Sequence, residues 1–450
     1  MNATASATRT DVLVVGAGPT GLALALMLRQ AGASPLVVDK LHAGHTTSRA
    51  AVIHAHTLDV LEPLGVTGRL MSEGLRLKKL SVRDRDRVLT GLNFDDLPTR
   101  HSCLLMVPPD RTEQALRDAL ADAGGGIEWG CEVRAITQLP DDVLVEMRSP
   151  NGPRLVLAKY VVGADGMNSI VRKTAGIAFS GTSYEESFLL ADVDMQWGPG
   201  RDEVMIFFSP EGPVVVAPLP GGERFRIVAT YENPPDHPDV TDIQTLLDRR
   251  GPTSSGARVS NVAWSSRFRV HHRVADRYRN GRLLIVGDAA HVHGHGMNTG
   301  LVDACVLGRL LADVISGNAA DDALDRYETA RRPVALSLLQ LANRLTAMAT
   351  LKGSVLRAVR NLLFRFIGLS PIASRQLTMN LSGLSRRAAA APYGNRHDLS
   401  PERVDRGELA ARLEDLLAHD LADQPPVAMR QLRAMPMSLR KNEVAPAVRH

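Results

Sequence analysis

Six residues near the N-terminus, Gly16, Ala17, Gly18, Pro19, Thr20 and Gly21, follow a short apolar run and precede a stretch of helical periodicity. Glycine at these three spacings does three jobs. Gly16 permits a tight turn, Gly18 lets backbone come close to a pyrophosphate, and Gly21 allows the following helix to pack closely. The helix start adds amide donors and the positive end of a dipole, which favour a phosphate anion. Asp39 closes the next apolar run with Lys40 beside it, and its carboxylate can accept hydrogen bonds from an adenosine ribose. A glycine triad alone also occurs in ordinary turns. Here strand, helix and acidic residue stand in the right order, which points to dinucleotide binding.

Two further carboxylates follow apolar runs. Asp165 and Gly166 come after residues 160–163, and Gly287 and Asp288 after residues 283–286. A carboxylate at the carboxyl end of such a strand faces the crevice where open α/β sheets bind ligands. With these three motifs in order, the chain resembles the class A flavoprotein monooxygenases, the family of p-hydroxybenzoate hydroxylase and the polyketide aromatic hydroxylases. The likeness spans roughly residues 11–386.

That resemblance implies FAD as the bound cofactor, with NADPH or NADH visiting as a transient reductant. It places Asp165 near the pyrophosphate and the nicotinamide path, and Asp288 on a ribityl hydroxyl. It also implies that Gly296, Met297 and Asn298 open a helix at the flavin C2 carbonyl, where the dipole end stabilises negative charge. Arg49, in Thr47-Ser48-Arg49-Ala50, matches an arginine loop over the flavin edge, and Arg111 matches a flavin contact at a helix start. A solvated surface charge is the plain alternative for both arginines. Val133 stands where similar proteins touch adenine through backbone. No catalytic residue is assigned.

The chain departs from the family pattern on the flavin's ring side. The segment from His291 to Asn298 is shorter than usual, Pro109 stands where glutamine is common, and His56 where arginine is common. Pro109 removes an amide donor as well as a side-chain amide. Two enzymatic readings follow from the resemblance. In the first, reduced flavin adds oxygen at C4a and the hydroperoxide hydroxylates an aromatic or polyketide intermediate, which requires a dry, closing site. In the second, FAD is structural and the pocket orients a polyene for a decalin-forming [4+2] cyclisation. A non-catalytic flavin-binding protein is a third reading.

His291, His293 and His295 alternate, and with His271 and His272 they raise a metal site, but no HExxH-type spacing accompanies them, so no metal is expected. His293 or His295 is expected to line the pocket as a proton shuttle or polar wall. Gly124, Gly125 and Gly126 read as a helix stop rather than a second nucleotide fingerprint. No Trp-x-Trp-x-Ile-Pro element surrounds Trp129, Trp197 or Trp264, which disfavours a flavin halogenase.

The elements that position these residues read as α/β: a doubly wound, Rossmann-like FAD-binding domain with an inserted β-sheet substrate domain and C-terminal helices. Residues 1–75, 107–180 and 275–330 are assigned to the FAD-binding domain, 76–106 and 181–274 to the β-sheet domain, 331–386 to the helical region and 387–450 to a tail. The first strand is expected to begin at Asp11. Phe188, Met195, Met205, Phe207 and Phe208 are expected to wall the pocket, with ordinary core as the alternative. In the tail, only residues 407–419 keep a helical periodicity.

At 450 residues and 44% hydrophobic content the chain can bury two cores. A formal charge of +4, with arginines spread out rather than bunched with aromatics, argues against a nucleic-acid partner. The expected partner is a small aromatic or polyene substrate. Residues 12–28 lack charge but are broken by glycine and proline, so no membrane span is expected. Three separated cysteines and no export signal suggest the cytoplasm.

Overall fold

The structure, a computed structural model, describes residues 7–44, 51–231, 235, 237–254, 256–292, 296–351 and 353–390, apart from the side chains of 183–186 and 268–270. Arg49, His293 and His295 lie outside the described residues, as does the stretch 407–419.

Val12, Leu13, Val14 and Val15 form an uninterrupted apolar run that is covered on both faces, as a central parallel strand requires. Their strand, Thr8–Val15, lies in the middle of the first sheet. It pairs in parallel with Gly152–Gly163 on one side and Pro35–Asp39 on the other. Leu283–Ile285 and Ile127–Trp129 extend the parallel order outward. The first strand starts earlier than residue 11, because Thr8, Arg9 and Thr10 already pair with Val156, Leu157 and Ala158.

The helix Pro19–Gln30 follows the glycine turn and is buried on nearly every side, with Leu22, Leu24, Leu26 and Leu28 fully enclosed. One side packs on the sheet and another on the long helix Gly296–Ile315. A Cβ on Gly308 would sit 2.6 Å from the Met27 side chain, so glycine there sets the spacing of the two helices. The helix Pro109–Asp122 covers the same side and stops at Gly124, whose φ of +73° suits glycine. The Gly125 amide then bonds back to the Leu120 carbonyl at 2.8 Å.

The second sheet has eight strands, ordered His291–Val292, Arg258–Ala275, Phe179–Gln196, Arg224–Tyr231, Val214–Pro218, Glu203–Phe207, Lys79–Asp84 and Arg87–Asn93. All its pairs are antiparallel except Glu203–Phe207 with Lys79–Asp84. Leu189, Ala191, Val193 and Met195 alternate onto one face and pack with Met205, Phe207 and the helix Val240–Arg250. Met195, Met205 and Phe207 are therefore core and not pocket wall. Phe208 packs edge-on against Phe364 of the helix Ser354–Leu369, with ring centroids 5.2 Å apart.

Phe188 and Leu190 take the opposite face by the same alternation. They look away from the Val240–Arg250 helix. The helices Asp325–Ala349, Ser354–Leu369 and Pro371–Leu381 close the molecule and cover part of that face. No described helix is long and apolar enough to cross a membrane.

Candidate functional site

The glycine motifs converge because their backbones touch. Gly16, at φ +107°, lies so close to the turn after the Gly152–Gly163 strand that a Cβ would stand 2.4 Å from the Ala164 carbonyl oxygen. A Cβ on Gly21 would stand 2.0 Å from the Gly16 oxygen. Thr20 is wedged between two other glycines: a Cβ on Gly287 would come within 2.9 Å of its hydroxyl, and one on Gly300 within 2.5 Å. Three stretches far apart in the chain thus meet around the start of one helix.

Asp39 organises this loop. One carboxylate oxygen accepts the Ala17 amide at 2.8 Å and the other the Leu41 amide at 2.9 Å. Its carbonyl receives the Cys131 amide at 2.8 Å, which brings the strand carrying Val133 alongside. The sequence alone suggested a ribose acceptor. The structure shows that the carboxylate also pins the glycine turn, leaving only its remaining lone pairs for a ligand. Lys40, next to it, is exposed.

Asp165 accepts the Ile170 amide at 2.7 Å. Burial pushes its carboxyl above the usual range, while the Ser169 hydroxyl and the Ile170 amide pull the other way. Gly166, at φ +75°, makes the turn. Arg172 then ties this turn to the Gly287–Ala289 turn. It donates to the Ala289 carbonyl at 2.9 Å and the Met167 carbonyl at 2.7 Å, and its guanidinium lies 3.9 Å above the Phe179 ring. This bridging role was missed from sequence. The signal available was an arginine close behind the aspartate, in a short turn-to-helix segment.

At the far end of the crevice, a Cβ on Gly296 would stand 2.9 Å from Asp288 Oδ1, so the Asp288 carboxylate and the start of the Gly296–Ile315 helix are neighbours. Asn298 secures that start: its side chain accepts the His54 amide at 2.9 Å and donates to the Val52 carbonyl at 2.8 Å. Below it lies a cluster that sequence reading did not find. His291 Nε2 is 2.5 Å from Asp303, Arg331 donates to the other oxygen of Asp303 at 2.5 Å, and all three side chains are buried. Burial raises the Asp303 carboxyl, but Arg331 and His291 outweigh it and hold it below its ordinary range. An aspartate in the middle of an apolar helix was the available clue. His291 therefore belongs to the framework, and His272 likewise bonds Asn343 at 2.7 Å.

Arg111 stands exposed at the start of the Pro109–Asp122 helix, 3.9 Å from Asp110. Pro109 occupies the first turn of that helix, where a missing amide costs no intrahelical bond. His56 is buried, and neither ring nitrogen has a hydrogen-bond partner. Burial, with Arg331, Arg387 and Arg386 nearby, lowers its pKa to about 4, so the ring is neutral. An open depression lined by His237, Asp239, Asn261 and Trp264 lies elsewhere, away from these motifs.

The cradle fits a dinucleotide. Gly18, alone among the three glycines of the turn, has nothing within 4 Å of where a Cβ would be, so the chain leaves that approach open. The helix behind it begins without a side-chain cap and without an acidic residue in its first turn, as an anion-binding end does.

Comparison with known proteins agrees with this geometry. Residues 9–342 match the family described as FAD binding domain. The 6-methylpretetramide 4-monooxygenase of Streptomyces rimosus is 34% identical, over 85% of this chain and 71% of that protein. The solved structure of the OxyS anhydrotetracycline hydroxylase from Streptomyces rimosus is 31% identical, with a TM-score of 0.69 over 84% of this chain and 76% of that one. The Diels-Alderase PyrE3 from the biosynthetic pathway of pyrroindomycins is 26% identical, with a TM-score of 0.69 over 83% of this chain and 80% of that one.

Proposed function

The chain belongs to the FAD binding domain family and is a FAD-dependent enzyme of the monooxygenase type, and we propose that it hydroxylates an aromatic or polyketide natural-product intermediate at the expense of NADPH or NADH. The observation that carries this reading is the convergence of Gly16, Gly18, Asp165, Gly287 and Gly296 on one crevice, with Gly18 left open.

In this reading Gly16, Ala17, Gly18, Pro19, Thr20 and Gly21 hold the pyrophosphate, with Asp39, Lys40 and Val133 on the adenosine side. Asp165, Gly166, Gly287 and Asp288 hold the middle of the cofactor, and Gly296, Met297 and Asn298 the ring end. Arg111 is proposed only as an outer contact, given its exposure. A flavin held by these residues would supply the redox chemistry, accepting hydride from a nicotinamide and activating dioxygen toward an electron-rich ring. The chain's own part is to place and shield. The first turn of the Gly296–Ile315 helix lacks acidic residues and favours negative charge at its end. Asn298 fixes that turn to the Val52–Ile53 strand, and the sheet face bearing Phe188 and Leu190 excludes water from the substrate side. The three buried free cysteines suit a reducing compartment such as the cytoplasm.

The likeness to PyrE3 supports a second reading, in which the flavin is structural and the pocket orients a polyene for cyclisation. One experiment separates them. The purified holoprotein is mixed anaerobically with NADPH, with and without candidate phenols, and oxygen is then admitted. Flavin bleaching followed by a hydroxylated product is the expected result. Flavin that stays oxidised while a linear polyene is cyclised would overturn it.

A further inference from the structure

The helix Ser354–Leu369 presents an outward face with no charge on it. Val355, Leu356, Val359 and Leu363 recur along one side, and Leu369 and Ile372 continue the stripe into the next helix. Leu356 is 47% exposed, Val359 49%, Leu369 63% and Ile372 58%. A surface helix in water carries polar residues on that side, so a contiguous apolar stripe marks something that docks there. From Gly353 to Ala390 the chain has no Asp or Glu, while Arg357, Arg365 and Arg375 are present, and Asp84 of a neighbouring strand accepts the Asn361 side-chain amide at 2.6 Å.

The complement stands further along the same chain. In residues 407–419, Leu409, Leu413, Leu416 and Leu417 repeat at helical spacing, and off that arc lie three carboxylates, Glu408, Glu414 and Asp415, against one arginine, Arg412. The segment is joined close to the stripe. The turn Leu384–Ala390 packs on the helix Pro371–Leu381, which packs on Ser354–Leu369. Residues 391–406 can span up to about 50 Å, enough to reach any point of the stripe. A tether of that length makes the encounter intramolecular and raises the effective concentration. A second copy of the same stripe would instead set arginine against arginine.

We propose that residues 407–419 form an amphipathic helix that docks its leucine face on the Val355, Leu356, Val359 and Leu363 stripe of its own chain, with its carboxylates toward the surrounding arginines. The test uses full-length holoprotein. Hydrogen exchange is followed in the Ser354–Leu369 helix of the wild type and of a Leu413→Asp, Leu416→Asp variant, with the Gly296–Ile315 helix as internal control. Exchange in the stripe at least about tenfold faster in the variant, with the control helix and flavin content unchanged, is the expected result. Unchanged exchange in the stripe overturns the proposal. A Val359→Cys, Leu413→Cys variant, in which the native thiols are buried, adds an independent reading: a disulfide within one chain is expected, and a disulfide between chains makes a second copy the occupant. Protection that appears only with phosphatidylglycerol vesicles, and is indifferent to Leu413 and Leu416, assigns the stripe to a membrane surface instead.

Discussion

Gly18 separates binding from folding more cleanly than any other residue in the cradle. Its backbone, at φ −70°, is open to any L-residue, and an added methyl meets no protein atom within 4 Å. Gly18→Ala is therefore expected to leave apoprotein stability within about 0.5 kcal/mol of wild type while weakening FAD at least about tenfold, or about 1.4 kcal/mol. Flavin titration and urea unfolding of the apoprotein measure the two effects, and a variant that retained full flavin affinity would remove the pyrophosphate from this turn. Gly16→Ala should lose both properties, since its methyl meets the Ala164 carbonyl at a positive φ. His56 predicts a pH dependence. Its imidazole pKa falls from 6.5 to about 4 in the fold, so the unfolded chain takes up the proton first. Stability is complete above the unfolded pKa and declines as pH drops through the window between the two values, by up to about 3 kcal/mol. His56→Leu, which also removes two unpartnered nitrogens, should unfold in urea with a smaller loss between about pH 7 and about pH 4.5. An identical loss in both proteins would assign the acid sensitivity to other groups. The glycines were legible from sequence because backbone demands leave no substitute for glycine. The burial of His56 was not, because it depends on Gly383 and three arginines more than 270 residues away along the chain.

Helices and strands that answer to local pattern were readable, and those that answer to distant partners were not. The strand Thr8–Val15, the helix Pro109–Asp122 and its stop at Gly124 follow from apolar runs and punctuation. The strand Arg258–Ala275 is one continuous element of 18 residues, yet arginine, serine and histidine interrupt its apolar residues without a clean alternation. Its partner Phe179–Gln196 determines it, with two bulges in the shared register between Asp192 and Met195. For Met195, Met205 and Phe207 the sequence leaves pocket wall and ordinary core both open, because alternation gives two faces without saying which is covered. The helix Val240–Arg250 decides that, through Ile243, Leu246 and Leu247. The helix Gly296–Ile315 is held to Asp325–Ala349 by the Asp303 and Arg331 pair, with His291 attached from the adjoining strand. Replacing Asp303 by Asn leaves a buried guanidinium without its carboxylate, so Asp303→Asn is expected to cost about 3–5 kcal/mol. Denaturant midpoints at neutral pH measure this. A loss below about 1 kcal/mol would show that the pair does not clamp these two helices.

At the scale of the whole molecule, two long strands join two of the three cores that the described residues form. Phe179–Gln196 and Arg258–Ala275 pair from Phe179 with Ala275 at one end to Gln196 with Arg258 at the other. At the first end, Phe179, Val274 and Ala275 pack into the core beneath the glycine turn. At the other, Leu189, Ala191, Val193 and Met195 form the core under the Val240–Arg250 helix. Neither core can lose these strands without stripping the other, so the two should unfold together even though the flavin cradle touches only the first. The tryptophans are placed to report this, with Trp129 packed on the first core and Trp197 on the second, 6.0 Å from Phe207. In variants that keep one of these tryptophans and replace the others by Phe, thermal unfolding followed by fluorescence should give coincident midpoints. Free FAD at about 100 times its dissociation constant adds about 2.7 kcal/mol to whatever unit binds it. If the shared strands make one unit, flavin raises both midpoints equally. A Trp129 transition that moves with flavin while the Trp197 transition stays in place would mean that the cradle and the substrate-side sheet are thermodynamically separate, and that the long strands connect them without coupling them.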